Sequence, residues 1–311
     1  MWKNKKVLVA GGAGLIGRQL VDKLLNNGAN VRVADLNKIE NSSVEELQLD
    51  LTVYENCLKA CNGIDVVFNL LCVKGSPKAM AERPADHFVP MILFNTNLMR
   101  AAKNSGVARY LYSSTLGVYA PAEEFYEDDV WKTFPSENDR FAGWAKRMGE
   151  LQVEAYAKQY GWKDVAILRP ANTYGPHDDF DSDGAMVVPS LIKKALKDSD
   201  LKIWGDGRNV RDFIYSGDVA DAMIYFMENP PGPHKPINIG SGTGSSIREL
   251  AETILKAANL NKELVFENGK HVGDSVRVLN TSRAEELGFS PKVSLEQGIK
   301  TTLEWYKNAK K

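Results

Sequence analysis

Residues 5–17 read Lys-Lys-Val-Leu-Val-Ala-Gly-Gly-Ala-Gly-Leu-Ile-Gly, so a short apolar run leads directly into a cluster of glycines. After the cluster, apolar residues recur at helical spacing as far as Leu25, and the stretch predicts a strand, a tight turn and a helix. Gly11, Gly14 and Gly17 allow the turn and let a pyrophosphate approach the N–H groups at the positive end of the helix. We therefore predict a phosphate-binding unit at the start of the chain.

Asp35 makes this interpretation more specific. It ends a second predicted strand, residues 30–35, roughly twenty residues beyond the glycines. A carboxylate at this place accepts hydrogen bonds from both ribose hydroxyls of a dinucleotide, and it repels a 2′-phosphate. The pattern predicts NAD rather than NADP as cofactor, against the alternative of a glycine turn beside an unrelated surface aspartate.

Strands and helices alternate through the first half of the chain. The apolar pattern predicts strands at 65–70, 109–113 and 165–169, with helices at about 90–105 and 142–160 between them. Such alternation is typical of an α/β fold with a doubly wound parallel sheet and crossover helices.

After about residue 175 the sequence changes to loops rich in Gly, Pro and Asp, broken by short elements. These predicted elements are 187–196, 217–228, 246–258 and 294–308. They indicate a smaller, partly discontinuous α/β lobe over the carboxyl edge of the sheet, where doubly wound folds bind ligands. The predicted division assigns 1–175, with parts of 205–240, to the dinucleotide domain and the remaining parts of 176–311 to a substrate lobe.

Composition excludes several classes of protein. The 311 residues are 43% hydrophobic and 25% charged, with a formal net charge of -1 and no run of one sign, so neither disorder nor a nucleic-acid or basic membrane face is expected. No apolar segment reaches the ~20 residues of a membrane span. Cys57, Cys61 and Cys72 lack a paired metal spacing. We expect a cytoplasmic protein with no metal site, no nucleic-acid partner and no membrane partner.

Further motifs follow the glycine turn and Asp35 in a fixed order. They are Asp50–Leu51, Ser113–Thr115, Lys146, Arg-Pro-Ala-Asn-Thr-Tyr-Gly-Pro at 169–176 and Val-Arg-Asp-Phe-Ile at 210–214. With these motifs the chain resembles, over nearly its whole length, the extended short-chain dehydrogenase/reductases that act on nucleotide sugars (the NAD-dependent epimerase/dehydratase family). The resemblance implies a Rossmann sheet, and residues 175–180 and 188–192 look most like the GDP-fucose synthase branch.

The resemblance also implies a role for each matching residue. The NAD site would be formed by Gly11, Gly14, Leu15, Ile16, Gly17, Asp35, Asp50, Leu51 and Lys146. Lys146 and Thr115 would be the catalytic residues, with Lys146 on the nicotinamide ribose and Thr115 on the reacting sugar oxygen. The substrate would be bound by Thr115, Asn172, Arg211 and Arg277, the arginines because a guanidinium matches a diphosphate. A homodimer or higher homo-oligomer, formed through the two long helices, is implied as well.

One departure from the family pattern concerns the residue that exchanges a proton with the sugar. The family has Tyr-x-x-x-Lys on one helix, where the tyrosine exchanges a proton with the sugar oxygen. Four residues before Lys146 stands Ala142. Phe141 is next to it, but it does not share the face of Lys146 and carries no proton. The usual catalytic tyrosine is absent.

Two further departures concern other reactions that members of the family catalyse. Leu116–Gly117 stand where 4,6-dehydratases carry an Asp-Glu pair. The cysteine and histidine that GDP-fucose synthase uses for 3,5-epimerisation correspond to Gly117 and Met186. Neither dehydration nor 3,5-epimerisation by those routes is supported.

Hydride transfer is the chemistry that remains. We predict an NAD-dependent enzyme acting at C4 of a nucleotide-diphosphate sugar, a GDP-sugar by the branch resemblance, as 4-dehydrogenase or 4-ketoreductase. A 4-epimerase, a 4,6-dehydratase and a low-turnover NAD or nucleotide-sugar binding protein remain alternatives. The sugar pocket is expected from loops 74–92 and 120–141.

The group that handles the proton is left open between Thr115, a water and an acid from elsewhere in the chain. Tyr119 is expected to pack structurally. The other loop candidates, each with a structural or exposed role as its alternative, are Glu123, Tyr126, Tyr174 and His177.

Overall fold

The computed structural model describes residues 1–73, 75, 80, 82–182, 184–267 and 273–309. Its strands are β1 (Lys6–Ala10), β2 (Asn30–Asp35), β3 (Glu45–Gln48), β4 (Val66–Asn69), β5 (Arg109–Ser113), β6 (Val165–Pro170), β7 (Asn172–Tyr174), β8 (Leu201–Trp204), β9 (Val210–Tyr215), β10 (Ile237–Ile239), β11 (Gly244–Ser246), β12 (Leu264–Glu267) and β13 (Val276–Arg277). Its α-helices are α1 (Leu15–Asn26), α2 (Tyr54–Cys61), α3 (Pro84–Asn104), α4 (Arg140–Tyr160), α5 (Val187–Lys197), α6 (Ser216–Glu228), α7 (Ile247–Ala258), α8 (Ser282–Glu286) and α9 (Leu295–Ala309).

A seven-stranded parallel sheet organises the chain, in the order β10-β6-β5-β4-β1-β2-β3. In its centre, Val9 of β1 pairs with Val33 of β2 and Phe68 of β4. The chain runs outward from β1 to β3 and then crosses to β4 on the other side of β1. The strand order therefore reverses between β1 and β4, and ligands of doubly wound sheets bind at the carboxyl ends of the strands at such a point. The predicted doubly wound fold is confirmed.

Alternate residues of the strands enter two cores. Val7 and Val9 belong to one buried cluster, with residues of α1 and α6. Leu8 and Ala10 belong to the other, with residues of α2, α3 and α4. Because a strand presents successive side chains to opposite faces, burial of both sets means that helices cover the sheet on both sides.

The C-terminal elements form a smaller layer with a core of its own. β9 pairs with β7, β11 and β13, and β8 pairs with β12. A third buried cluster joins residues of α5, α7 and α9. α6 and β10 return to the large sheet, where Ile237 pairs with Leu168. The division of the chain into two domains stays a prediction.

Most predicted elements are present, with shifts of one or two residues at their ends. The predicted start of the helix at about 90 is wrong, because α3 begins at Pro84 and continues through Pro90. A proline in the first helical turn lacks an N–H that would have no partner there in any case. The edge strand β3 was not predicted, because Glu-Glu-Leu-Gln is only partly buried and has no apolar pattern.

Two further observations concern the cysteines and the helices. Cys57 and Cys61 are buried on α2, Cys72 is exposed, and all three are free. Across the described ranges, no helix is both long and apolar enough to cross a bilayer.

Candidate active site

The glycine turn between β1 and α1 has the shape of a phosphate cradle. Gly11 has a φ of 83°, in the left-handed region. A Cβ on Gly17 would lie 2.4 Å from the carbonyl oxygen of Gly11, so helix and turn are in backbone contact. Gly14 precedes α1 without a capping side chain, and the first turn of α1 carries no acidic residue. The first N–H groups of α1 and its positive end suit the pyrophosphate of a dinucleotide.

The carboxylate of Asp35 lies against this turn. Its Oδ2 accepts a hydrogen bond from the backbone N–H of Ala13 at 3.0 Å, and its Oδ1 accepts one from Asn37 at 2.9 Å. The end of β2 therefore faces the turn as the sequence predicts. Asp50 follows β3, and its Oδ1 accepts hydrogen bonds from the backbone and the hydroxyl of Thr52, while Leu51 is buried.

We expect Asp35→Ser to reduce the preference for NAD over NADP by about tenfold. The variant removes the negative charge that would oppose a 2′-phosphate, and one such repulsion near a protein surface is on the order of 1–2 kcal/mol. Titration calorimetry with both dinucleotides measures the ratio of affinities. Asp22→Ser removes an exposed carboxylate from α1 and serves as the matched control, with no expected change. An unaltered ratio in Asp35→Ser would remove Asp35 from the ribose site.

Lys146 of α4 lies at the carboxyl ends of two neighbouring strands. Its Nζ donates hydrogen bonds to the carbonyl oxygens of Ser113 at 2.8 Å and Leu71 at 3.0 Å. The side chain is 3% exposed, and burial lowers the pKa of its ammonium. An ammonium has three donors, so this position leaves Lys146 able to hold a ribose hydroxyl at the edge of β4 and β5.

Asn69, a residue not predicted from the sequence, shapes the loop that carries one of these carbonyls. It ends β4 and is 1% exposed. Its Oδ1 accepts a hydrogen bond from the N–H of Leu71 at 3.1 Å, while its Nδ2 donates to Asn95 and Tyr110. The signal that could have identified it is an asparagine directly after the apolar residues Val66, Val67 and Phe68.

Thr115 follows β5 and starts a short 3₁₀ turn, Leu116–Val118. Its Oγ1 accepts a hydrogen bond from the N–H of Gly117 at 3.2 Å, and the residue is half-buried. A Cβ on Gly143 of α4 would lie 2.4 Å from the carbonyl oxygen of Gly117. The turn that bears Thr115 is therefore in close contact with the helix that bears Lys146.

The position of the missing tyrosine lies on the face of α4 that carries Lys146. Ala142 is half-buried and packs against the core cluster of α2, α3 and α4. Phe141 is 46% exposed, and its ring meets that of Phe88 edge-on. Met186 is exposed just before α5. The structure thus confirms that position 142 presents only a methyl group.

A buried ion pair between Arg169 and Glu150 connects β6 to α4 beside the candidate site. Arg169 of β6 donates to both carboxylate oxygens of Glu150, at 2.9 and 2.6 Å, and both side chains are almost inaccessible. The hydroxyl of Ser114 donates to Glu150, and Arg169 also donates to the hydroxyl of Tyr119 at 2.9 Å. Since Glu150 follows Lys146 by one helical turn, the network fixes α4 against the end of β5. The spacing to Lys146 could have identified Glu150.

The two predicted phosphate-binding arginines are neighbours on paired strands. Arg277 of β13 is in register with Arg211 of β9. Burial, with the adjacent Arg277, lowers the pKa of the Arg211 guanidinium. Arg277 lies between two carboxylates, with its Nη2 2.5 Å from Asp139 and its Nε 4.0 Å from Asp274. Two adjacent guanidinium groups suit a diphosphate, although Arg277 already has acidic partners.

Asn172 is tied into the small sheet. Its Nδ2 donates to the carbonyl oxygen of Asp212 at 2.9 Å. The Asp212 carboxylate is buried and accepts hydrogen bonds from Ser241, Gly242 and Leu279, and burial raises its pKa. Asp212, which follows Arg211, therefore has a structural role in placing the strand of that arginine.

The structure gives several of the candidate proton donors other contacts. Tyr119 is buried, its hydroxyl donates to Asn238, and burial raises its pKa, so the predicted structural role fits. Tyr126 donates to Glu124, Tyr174 donates to the carbonyl of Leu295, and the ring of His177 packs on Trp305. Glu123 is exposed. The parts of the predicted sugar pocket at 74, 76–79 and 81 lie outside the described residues.

The fold and the glycine turn are typical of one class of protein, the dinucleotide-binding enzymes with a doubly wound sheet. A sequence profile described as the NAD dependent epimerase/dehydratase family matches residues 7–240. The chain belongs to this family. The predictions of an extended short-chain dehydrogenase/reductase, of an enzyme and of NAD as cofactor are thereby confirmed.

Individual relatives agree with the family assignment. A GDP-L-fucose synthase of Sinorhizobium fredii is 31% identical over 97% of this chain and 95% of its own length. The UDP-glucose 4-epimerase of Thermotoga maritima, solved with UDP-glucose, is 30% identical with a TM-score of 0.85, covering 98% of this chain and 100% of its own. The UDP-glucose 4-epimerase of Thermus thermophilus, solved with NAD, is 28% identical with a TM-score of 0.86, covering 98% and 99%.

Proposed function

We propose that this protein is an NAD-dependent oxidoreductase that transfers hydride at C4 of a nucleotide-diphosphate sugar, with GDP-sugars as the first candidates. The observation that carries the proposal is the Lys146 ammonium held between the carbonyls of Ser113 and Leu71, with Thr115 two residues after Ser113 in the chain. Support comes from the relatives, since the named activities of the two epimerases concern C4 of a UDP-sugar and that of the fucose synthase concerns a GDP-sugar.

In this proposal the chain's own residues bind and orient both molecules. NAD, when bound, accepts or supplies the hydride. Its cradle is proposed to consist of Gly11, Gly14, Leu15, Ile16, Gly17, Asp35, Asp50, Leu51 and Lys146. Thr115 holds the reacting sugar oxygen, and the diphosphate is bound by Arg211 and Arg277, with Asn172 beside them. Burial is the main cause of the lowered pKa of Arg211, and a diphosphate between the two guanidinium groups would reduce the second cause, repulsion by Arg277.

Other reactions of the family lack their groups here. Dehydration and 3,5-epimerisation need an acid and a base beside the sugar ring, and the positions that carry these groups in the family, Leu116, Gly117 and Met186, supply none. A 4-epimerase needs only C4 chemistry with reduction from the other face of the ketone. It is therefore the alternative that the experiment must separate.

The test is to incubate the protein with NAD⁺ and a panel of GDP-, UDP- and dTDP-hexoses and heptoses. NADH absorbance and mass spectrometry of the sugar are followed together. A 4-keto product with stoichiometric NADH supports the proposal. An isomeric sugar without net NADH replaces it with a 4-epimerase, loss of one water replaces it with a dehydratase, and no product from any sugar overturns it. Lys146→Met, with ~10²-fold or greater loss expected, is the control for chemistry at this site.

We further propose that the protein acts in the cytoplasm as a homodimer or higher homo-oligomer. Exposed apolar side chains lie along α3 and α4, among them Val89, Leu93 and Leu151, and such patches mark association surfaces. Sedimentation equilibrium of the purified chain measures its mass in solution, and a monomer across micromolar concentrations would contradict the oligomer.

A further inference from the structure

Asp139 packs on the turn that Thr115 starts. It directly precedes α4, and its side chain lies over Gly117. A Cβ built on Gly117 would be 3.4 Å from both Cβ and Cγ of Asp139 and 3.4 Å from Cγ2 of Thr115. The Asp139 side chain and the methyl group of Thr115 therefore border the same small space, which residue 117 leaves open because it has no side chain.

Asp139 lies at the N-terminal end of α4, just outside the regular helix, with a φ of -114° and a ψ of 11°. Asp139 precedes Lys146 by seven residues, which is close to two turns at 3.6 residues per turn. Ala142 lies between them on the same face. Because side chains of a helix lean toward its N-terminus, the Lys146 side chain extends along this face in the direction of Asp139. The carboxylate is thus one turn away from the place where a tyrosine is missing.

Arg277 of β13 holds this carboxylate in position. Nη2 of Arg277 lies 2.5 Å from Oδ2 of Asp139, and that oxygen is buried. The side chain of Asp139 retains 20% of its exposure. Asp274, the second acidic partner of Arg277, accepts hydrogen bonds from Ser136 and Asn138 at 3.0 and 2.8 Å. The segment before α4 is therefore fixed from both ends, and its carboxylate is oriented rather than free to rotate.

The hydrogen bonding of Thr115 favours a relay to such a group. Its Oγ1 already accepts a hydrogen bond from the N–H of Gly117. A hydroxyl has one proton to donate and two lone pairs, so Thr115 can accept one further proton while donating its own. Tyr119, Tyr126 and Tyr174 donate elsewhere, whereas Asp139 packs on the turn of Thr115.

We propose that Asp139 serves, through Thr115, as the proton acceptor in place of the missing tyrosine, a proposal that rests on the function proposed above. In the oxidative direction the C4–H bond breaks and its hydride passes to NAD⁺, giving NADH. The O4–H proton passes to Thr115 Oγ1 while the Thr115 hydroxyl proton passes to the Asp139 carboxylate. The products are the 4-ketone, NADH and protonated Asp139, and reduction runs through the same steps in reverse.

The test replaces the carboxylate with an amide of the same shape. Asp139→Asn is expected to lower kcat by ~10²-fold or more, the range of a lost proton-transfer partner, with KM within about threefold. Adding Ala142→Tyr to Asp139→Asn is expected to restore kcat by at least ~10-fold, because a tyrosine four residues before Lys146 supplies a new proton carrier. A purely structural role of Asp139 would not be rescued in this way.

A second readout does not depend on turnover. Calorimetry with GDP and UDP is expected to give equal or up to ~10-fold tighter binding in Asp139→Asn, because Arg277 loses a competing carboxylate. The control is Asp128→Asn, which breaks another Asp–Arg contact, with Arg283 at 2.8 Å. It is expected to leave kcat and nucleotide binding unchanged.

Each remaining outcome counts against the proposal. Wild-type turnover with an unchanged kcat in Asp139→Asn overturns it while the proposed function stands. A fall in kcat that Ala142→Tyr does not rescue, with weaker GDP or UDP binding, gives Asp139 a structural role only. A wild-type chain that converts no sugar overturns the proposed function and this relay with it.

Discussion

Gly17→Ala is expected to weaken NAD binding by at least ~100-fold. The added Cβ would lie 2.4 Å from the carbonyl oxygen of Gly11 and 2.6 Å from Cα of Gly12. Both are backbone atoms, so the methyl group can be accommodated only if the turn separates from α1. Overpacking of this kind costs on the order of 1–3 kcal/mol, and the same displacement removes the N–H groups from the pyrophosphate. Titration calorimetry with NAD⁺ measures the loss.

The control for this variant is Gly161→Asn. Gly161 ends α4 with a φ of 67°, and an added Cβ there meets nothing within 4 Å. Asparagine tolerates the left-handed conformation, so NAD affinity should equal that of the wild type. Thermal unfolding of both variants verifies that they are folded. If folded Gly17→Ala binds NAD with full affinity, the glycine turn is not the pyrophosphate site.

Arg169→Met is expected to destabilise the protein by about 3–5 kcal/mol. The arginine is 0% exposed and makes two hydrogen bonds to Glu150. Removing one member of a buried ion pair leaves the other charge buried and unpaired, which accounts for losses of this size. The variant also loses the hydrogen bond that Arg169 donates to the hydroxyl of Tyr119. Urea unfolding measures the difference, which is a large part of the ~5–15 kcal/mol of a typical domain.

Two comparisons make this prediction specific to the buried pair. Lys132→Gln breaks an exposed ion pair with Asp129, 2.9 Å long, and should cost below ~1 kcal/mol. Arg169→Met combined with Glu150→Leu removes both charges, and part of the lost stability should return. A loss below ~1 kcal/mol for Arg169→Met alone would mean that the pair contributes no more than a surface contact.

The sheet and the turn after β1 could be predicted because their determinants are local. Glycines three residues apart specify the turn after β1, and the apolar strands on either side of it are continuous. The resemblance to the family identifies Lys146, and helical spacing then relates it to residue 142 on the same face. Asp35 was predictable for a similar reason, since it ends a strand that is parallel to β1 and beside it.

Asp139 could not be predicted from the sequence. Its importance depends on the contact between the start of α4 and the turn at Gly117, and on Arg277, which lies far away in the sequence. No periodicity connects these residues, because only the folded chain brings β13 next to α4. The edge strand β3 escaped prediction for a different reason, since half of its side chains are in water and an apolar pattern is not required.

The return of β10 to the large sheet has a consequence for biosynthesis. Until Ile237–Ile239 has left the ribosome, β6 has an open edge with unpaired N–H and C=O groups. Asn238 also supplies partners to Tyr119 and Glu127 beneath the site. The large sheet of the nascent chain therefore lacks its last strand through most of translation. Partly folded chains with such unpaired edges are prone to aggregate. A stop codon between β6 and β10 would leave this edge of the seven-stranded sheet unpaired and would also remove β11–β13 and α7–α9.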